Sequence, residues 1–428
     1  VGLNGLYGIA PRQLVAPELY DQVQVLNGAS AFLNGAAPGG SGIGGSVNLI
    51  PKRAERPLTR FTLGYTSDAH FGGSFDVARR FAHDAVGLRV NGAARRGDVS
   101  IEDEFRSNYV LGTGVDWSGE RARLSLDLAY QRVEVRRLRP KVTLATAVVP
   151  EVPDADANYG QPWTFTELRD VFGVVRGEYD LADNALLYAS FGARDGSEDG
   201  IYGGIRVTDA ATGAATGSAT VVPRTDNNEA AQAGIRVKLE SGGVSHELNF
   251  GGSMTWQVNR NAFDFLAGYA TNLYDTPIVP QPGTGFVGGD LDDPFPVSRT
   301  RLGSVFASDT IGLLEDRVLF TAGLRLQTIN LKSYAYSDDP AAGIAAGDLT
   351  TEYDEDAVTP VVGLVVKPAE GLSLYANRIQ GLAQGPTAPV FEPRIANPGE
   401  VFPPFKSTQY EAGGKLSLDR FNVALAVY

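Results

Sequence analysis

Chemistry needs nucleophiles, titratable groups or metal ligands at workable spacing, and this sequence offers few. Its three histidines, His70, His83 and His246, stand in three separate places. No His-x-x-x-His or His-Glu-x-x-His pair sets two of them on one helix face, so a metal site built on them is not expected. His83-Asp84 reads as a short turn. Ser30 sits in Gly-Ala-Ser-Ala-Phe rather than Gly-x-Ser-x-Gly, so no nucleophile elbow is offered. The run Gly39-Gly40-Ser41-Gly42-Ile43-Gly44-Gly45 has the glycine density of a phosphate loop. It lacks the Lys-Ser/Thr and the helix such a loop requires. Two acidic clusters, Asp290, Asp292 and Asp293, then Asp338 and Asp339, are of the calcium-ligand type but read as solvated loops. Cysteine is absent, which removes thiolate metal sites and disulfides together. The expectation is a protein that is not an enzyme, with no catalytic residues, cofactor or metal of its own.

Any site must then be positioned by the backbone, and residues 20–54 are where the backbone is most unusual. An alternating segment carries Val23, Val25 and Phe32 on its apolar side. Glycines crowd the chain from Gly28 to Gly45, and residues 47–50 close it as a short apolar strand. Glycine at that density marks positive φ angles and close backbone approach, at an entropic cost. A compact knot of tight turns is expected, with no ordinary helix and no long strand. After Pro57 the texture changes to period-two alternation and holds it to Tyr428.

Residues 121–132 show the alternation. Ala122, Leu124, Leu126, Leu128 and Tyr130 share one face, and Arg121, Arg123, Ser125, Asp127 and Gln131 share the other. A soluble sandwich has the same pattern, apolar inward and polar to water. The links between strands separate the two cases. Short ones at 118–120, 182–184, 241–243, 314–316 and 369–371 alternate with long ones at 136–167, 196–226, 259–299, 332–356 and 381–406. Short turns on one rim and long loops on the other are the signature of outer-membrane barrels. Several strands also exceed the roughly 9–11 residues that a tilted strand needs to cross a bilayer. Trp117 beside a short turn and Trp256 near a long loop both fall on the apolar face, the placement of the two interfacial aromatic girdles.

Composition agrees. A net charge of −13 disfavours nucleic acid as a partner. No run of 18 apolar residues exists to form a transmembrane helix. The chain starts at Val1 without a signal peptide and ends inside an alternating strand, so it reads as an internal fragment of a longer protein.

Residues 23–54, VQVLNGASAFLNGAAPGGSGIGGSVNLIPKRA, resemble the end of the plug domain of TonB-dependent outer-membrane receptors, the ferric-siderophore group in particular. The structural motif residues kept are Gly28, Ser30, Gly35, Pro38, Gly39, Gly40, Asn48, Lys52 and Arg53. Asn27 stands where the family usually has a basic residue and Ala29 where it usually has proline, which leaves the latch of plug to barrel unassigned. Residues 303–324 and 359–375 resemble the family's barrel hairpins, so the likeness covers nearly the whole chain.

The resemblance implies an all-β, transmembrane antiparallel β-barrel with an N-terminal plug. Residues 1–57 would be the C-terminal part of the plug, and residues 58–428 a barrel incomplete at its C-terminus. Such barrels have roughly 22 strands; about fifteen are counted here. The implied function is TonB-dependent active import of a ferric siderophore, hydroxamate type, across the bacterial outer membrane. Iron would enter only within the bound chelate. Partners would be outer-membrane lipid and the TonB-ExbB-ExbD energy-coupling complex, reached through a TonB box absent from this chain. Ligand-binding candidates are Tyr7 and Arg12 at the plug apex and Tyr202 on the barrel side. Arg12 would pair with an anionic chelate, and Tyr7 would pack on it or donate its hydroxyl. The alternatives are another ligand of the same uptake system, such as cobalamin or an oligosaccharide, and a surface hydrolase or adhesin barrel.

Overall fold

The computed structural model describes residues 1–36, 43–388 and 395–428; the motif residues Pro38, Gly39 and Gly40 lie outside the described residues. A small sheet comes first. It is built from β1 (Gly2–Leu3), β2 (Leu6–Tyr7), β3 (Tyr20–Asn27) and β4 (Gly45–Pro51) in the order β2-β1-β4-β3. Between β3 and β4 a single helical turn, α1 (Ala31–Asn34), is flanked by Gly28 and Gly35 at φ of 81° and 80°. Those angles cost a side chain that glycine does not have, and a Cβ on Gly28 would run into Gln409 of the wall.

The alternating remainder becomes one sheet, an antiparallel meander apart from one loop strand that pairs parallel. Its first strands are β5 (Leu58–Thr66), β6 (His70–Phe81), β7 (Val86–Asp98), β8 (Phe105–Ser118) and β9 (Ala122–Arg136). After the loop strand β10 (Lys141–Leu144) come β11 (Phe165–Ala182), β12 (Ala185–Val207), β13 (Ala214–Ser241) and β14 (Val244–Asn261). Three more loop strands follow, β15 (Phe263–Leu266), β16 (Tyr269–Asn272) and β17 (Thr284–Gly288). The wall then continues as β18 (Pro296–Leu313), β19 (Val318–Tyr334), β20 (Leu349–Ala369), β21 (Leu372–Ala383), β22 (Phe405–Leu418) and β23 (Phe421–Val427). Without the four loop strands the wall has fifteen strands, the number that the alternation gives.

Burial decides which way the pattern faces. On β9 the apolar residues Leu124 and Leu128 are 51% and 53% exposed, while Asp127 and Gln131 between and beside them are 6% and 1% exposed. Arg325 and Gln327 on β19 are likewise buried, and Leu324 and Leu326 are exposed. A soluble sandwich buries its apolar face; this wall buries its polar face and turns leucine outward, as a barrel in lipid must. Trp117 and Trp256 share that outward face, Trp117 beside the short turn that ends β8 and Trp256 in the part of β14 nearer its long loop.

Two expectations need correction. Residues 196–226 are not a loop, because β12 and β13 run on as a paired ladder to Val207↔Ala215 with a turn of only a few residues. Glycine, serine and aspartate made that stretch look irregular; buried positions alternate as far as Gly200, and beyond it the opposite face is buried, where Ile201 and Ala219 pack on Leu266 of β15. Val23 and Val25 do not share a buried side with Phe32. They are 63% and 64% exposed on β3, an edge strand paired only with β4, whereas the turn into α1 carries Phe32 inward.

The core lies between the small sheet and the wall. Leu3, Leu6, Ile9, Leu19 and Leu49 pack on Val110, Phe172, Val174 and Ala230. A second cluster sets Ala31 of α1 against Leu302, Ile329, Tyr353 and Leu382.

Candidate ligand-binding site

The small sheet is fixed to the wall by charge at its exit. Lys52 Nζ lies 3.0 Å from Asp76, which also accepts two hydrogen bonds of 2.7 Å from Arg89. Arg53 makes a two-pronged pair with Asp127. Glu18 meets Arg95 at 2.5 Å, and Gln131 Nε2 donates to the Leu14 carbonyl at 2.7 Å. On the far side Arg325 Nη1 donates to the carbonyls of Phe32 and Leu33 at 2.8 and 3.0 Å, satisfying the end of α1. Gln409 Oε1 accepts from the Ala29 amide at 2.9 Å. The latch that Asn27 cannot supply therefore comes from Lys52, Arg53 and wall carboxylates.

Above this lies a cavity of about 600 Å³ whose lining includes Gly8, Arg12, Arg194, Arg224, Asp226 and Lys332. Arg12 stands on the irregular chain after β2 and donates to Glu198, with its Nε 3.5 Å from Asp226. Gln13 and the Tyr202 hydroxyl both donate to the other Glu198 oxygen, at 2.8 and 2.5 Å, and Tyr202 also bonds Thr166 at 2.7 Å. Arg224 binds Asp226 at 2.9 and 3.0 Å, Arg194 binds Asp170 at 2.7 Å, and Lys332 meets Glu352 at 3.0 Å. Every cationic side chain in this lining has a carboxylate. Burial, helped by Arg224, pushes the Arg12 pKa down, and Asp226 pulls it back.

Over the cavity the loop strands add an aromatic surface. Directly opposed residues on neighbouring strands face the same way. Tyr202 opposes Thr220, Thr220 opposes Phe265, and Phe265 opposes Phe286. The face that carries Tyr202 toward Arg12 therefore also carries Phe265 and Phe286, together with Phe263 two residues along. The Phe263 and Phe265 ring centroids are 4.6 Å apart, Phe265 stacks on Phe286 at 6.4 Å, and Tyr336 stands edge-on to Phe263 at 5.1 Å. Phe265 and Phe286 are more than half exposed, so this surface is open to a ligand.

A model of the family described as "TonB dependent receptor-like, beta-barrel" matches residues 104–428. The chain belongs to the TonB-dependent receptors. It is 36% identical over its whole length to the ferrichrome receptor FcuA of Yersinia enterocolitica, of which it spans 56%. The structure resembles that of BauA, the ferric preacinetobactin receptor of Acinetobacter baumannii. The TM-score is 0.88 at 32% identity, over 99% of this chain and 62% of that one. The siderophore receptor PiuA of the same organism shares the fold, with a TM-score of 0.82 at 16% identity over 99% of this chain and 64% of that one. The chain thus spans little more than half the length of the proteins it matches. The relatives are outer-membrane receptors, not enzymes, and the wall is an outer-membrane β-barrel.

In the receptor, two of the three ligand-binding candidates converge: Arg12 and Tyr202 meet on Glu198. Tyr7 does not join them. Its hydroxyl reaches Ser46 at 3.4 Å, and its ring lines a separate, deeper cavity. Asn48 acts inside the plug sheet, its Oδ1 accepting from the Gly5 amide at 2.8 Å. Sequence reasoning missed Glu198 and the three phenylalanines. Phe263-x-Phe265 was a visible alternating signal, hidden by its place in a span that reads as one long loop.

Proposed function

We propose that this chain is the end of the plug and much of the barrel, residues 1–57 and 58–428, of a TonB-dependent importer of a ferric siderophore, hydroxamate type. The observation that carries the chelate class is the pairing of every cationic side chain lining the outer cavity with a carboxylate. A hydroxamate shell cancels the ferric charge, whereas a catecholate shell leaves a net negative charge that an already neutralised cavity does not reward. The open rings of Phe265 and Phe286 suit the apolar periphery of a compact chelate. The family relatives named for ferrichrome and ferric preacinetobactin support the coarser part of this reading, a ferric siderophore as cargo. Binding at the plug apex would disturb the Arg12–Glu198 link and so loosen the plug on that side. Pulling by the TonB-ExbB-ExbD complex would then open a passage. The test is iron-limited growth of a receptor-deletion strain complemented with the full-length gene and fed single ferric chelates. Growth on ferric hydroxamates supports the reading, and growth only on catecholates rejects the hydroxamate assignment.

A further inference from the structure

Below the outer cavity the same wall sector holds a second one of about 290 Å³, reached past the plug segment of residues 6–9. Two inward rows connect the levels. Asn228 opposes Gln257 beside the outer cavity, and Gln232 opposes Ser253 and Arg236 opposes Asn249 at the inner one. This polar stripe on β13 and β14 is interrupted at Ala230, fully buried under Leu6 and Ile9. The plug backbone closes the gap: the Gly8 carbonyl accepts from Asn228 at 3.0 Å and Gln257 at 3.5 Å. Gly5 and Gly8, at φ of 83° and 99°, bracket the closing segment.

The inner cavity differs from the outer one in charge. Among the described residues its lining holds Arg176, Arg236 and Arg325 and no carboxylate. Arg176 is paired with Glu178 at 2.9 Å. Among the described residues Arg325 is bonded only to neutral groups, Ser253 and Ser304 hydroxyls and two carbonyls, with the Phe306 ring 5.0 Å away. Arg236 lies 5.0 Å over the Tyr188 ring and, among the described residues, has no ion pair.

We infer that the inner cavity is a second binding station for oxygen-rich, electron-rich groups, hydroxamate or carboxylate oxygens of the cargo, with Arg236 as its accessible cation. The segment of residues 6–9 is the barrier between the two stations. The use of the station in uptake rests on the siderophore reading above; its anion preference does not. The first test therefore needs no siderophore. Gln232→Cys is introduced into the full-length receptor, of which residues 1–428 hold no cysteine, with any cysteine outside them replaced by serine, and labelled with sulfonate-bearing and ammonium-bearing methanethiosulfonates. The expected result is faster modification by the anionic reagent, by about tenfold, abolished by adding Arg236→Gln. Equal rates, or a preference untouched by Arg236→Gln, overturn the inference.

The second test is uptake. Arg236→Gln should keep chelate binding within about twofold and lower the uptake rate about tenfold, with Arg236→Lys restoring most of it. Normal uptake by Arg236→Gln overturns the role in uptake. A receptor that binds no ferric chelate defeats the siderophore reading instead, and the labelling ratio still decides the anion site.

Discussion

Arg12 and Glu198 carry the argument at the scale of the residue. Arginine at a plug apex invites an anionic partner, and the sequence alone assigns that partner to the ligand. The structure supplies a carboxylate already in place, held by Gln13 and Tyr202 as well. Glu198→Gln should leave Arg12 with only its longer contact to Asp226 and move selectivity toward anionic chelates by about tenfold, or ~1.4 kcal/mol, in competition titrations. An unchanged preference would remove Glu198 from the account. Asp127→Asn tests the latch. It strands Arg53, whose pair with Asp127 is largely buried, and loss of one member of such a pair costs about 3–5 kcal/mol. The expected readout is faster proteolysis of the plug connector and a lower plug melting temperature, with the barrel still folded. Lys52 and Arg53 were legible as a terminal motif; their partners were not, because Asp76 and Asp127 lie 24 and 74 residues away in sequence.

Among elements, alternation is the most readable signal and the reach of each strand the least. Period two gave about the right number of wall strands, since a strand between lipid and a polar interior has no freedom to break the pattern. It failed above the membrane, where β12 and β13 continue as a ladder through glycine, serine and aspartate. That overrun explains the aromatic surface, because it gives β15 an edge on which Phe265 can dock. Phe265→Ala combined with Phe286→Ala should weaken chelate binding by about tenfold while leaving thermal stability close to wild type, both rings being more than half exposed. A large fall in melting temperature without loss of affinity would make the cluster a loop core instead.

The whole molecule inverts the usual relation between polarity and burial, with polar residues enclosed and leucines outside. Leu126→Arg on the outward face of β9 should destabilise the folded barrel in bilayers by about 2–4 kcal/mol, measured by urea unfolding in lipid vesicles. No penalty would mean that this face does not meet hydrocarbon. The central claim, that the charge-balanced cavity beneath the aromatic surface receives a ferric hydroxamate, is tested most directly by intrinsic-fluorescence quenching of the full-length receptor. Ferric hydroxamate, catecholate and carboxylate chelates and cobalamin are titrated in turn. The account predicts saturable, sub-micromolar quenching by a hydroxamate chelate, weakened by Phe265→Ala. Flat titrations across the iron chelates with saturation by cobalamin, or by a sugar ligand, would contradict it.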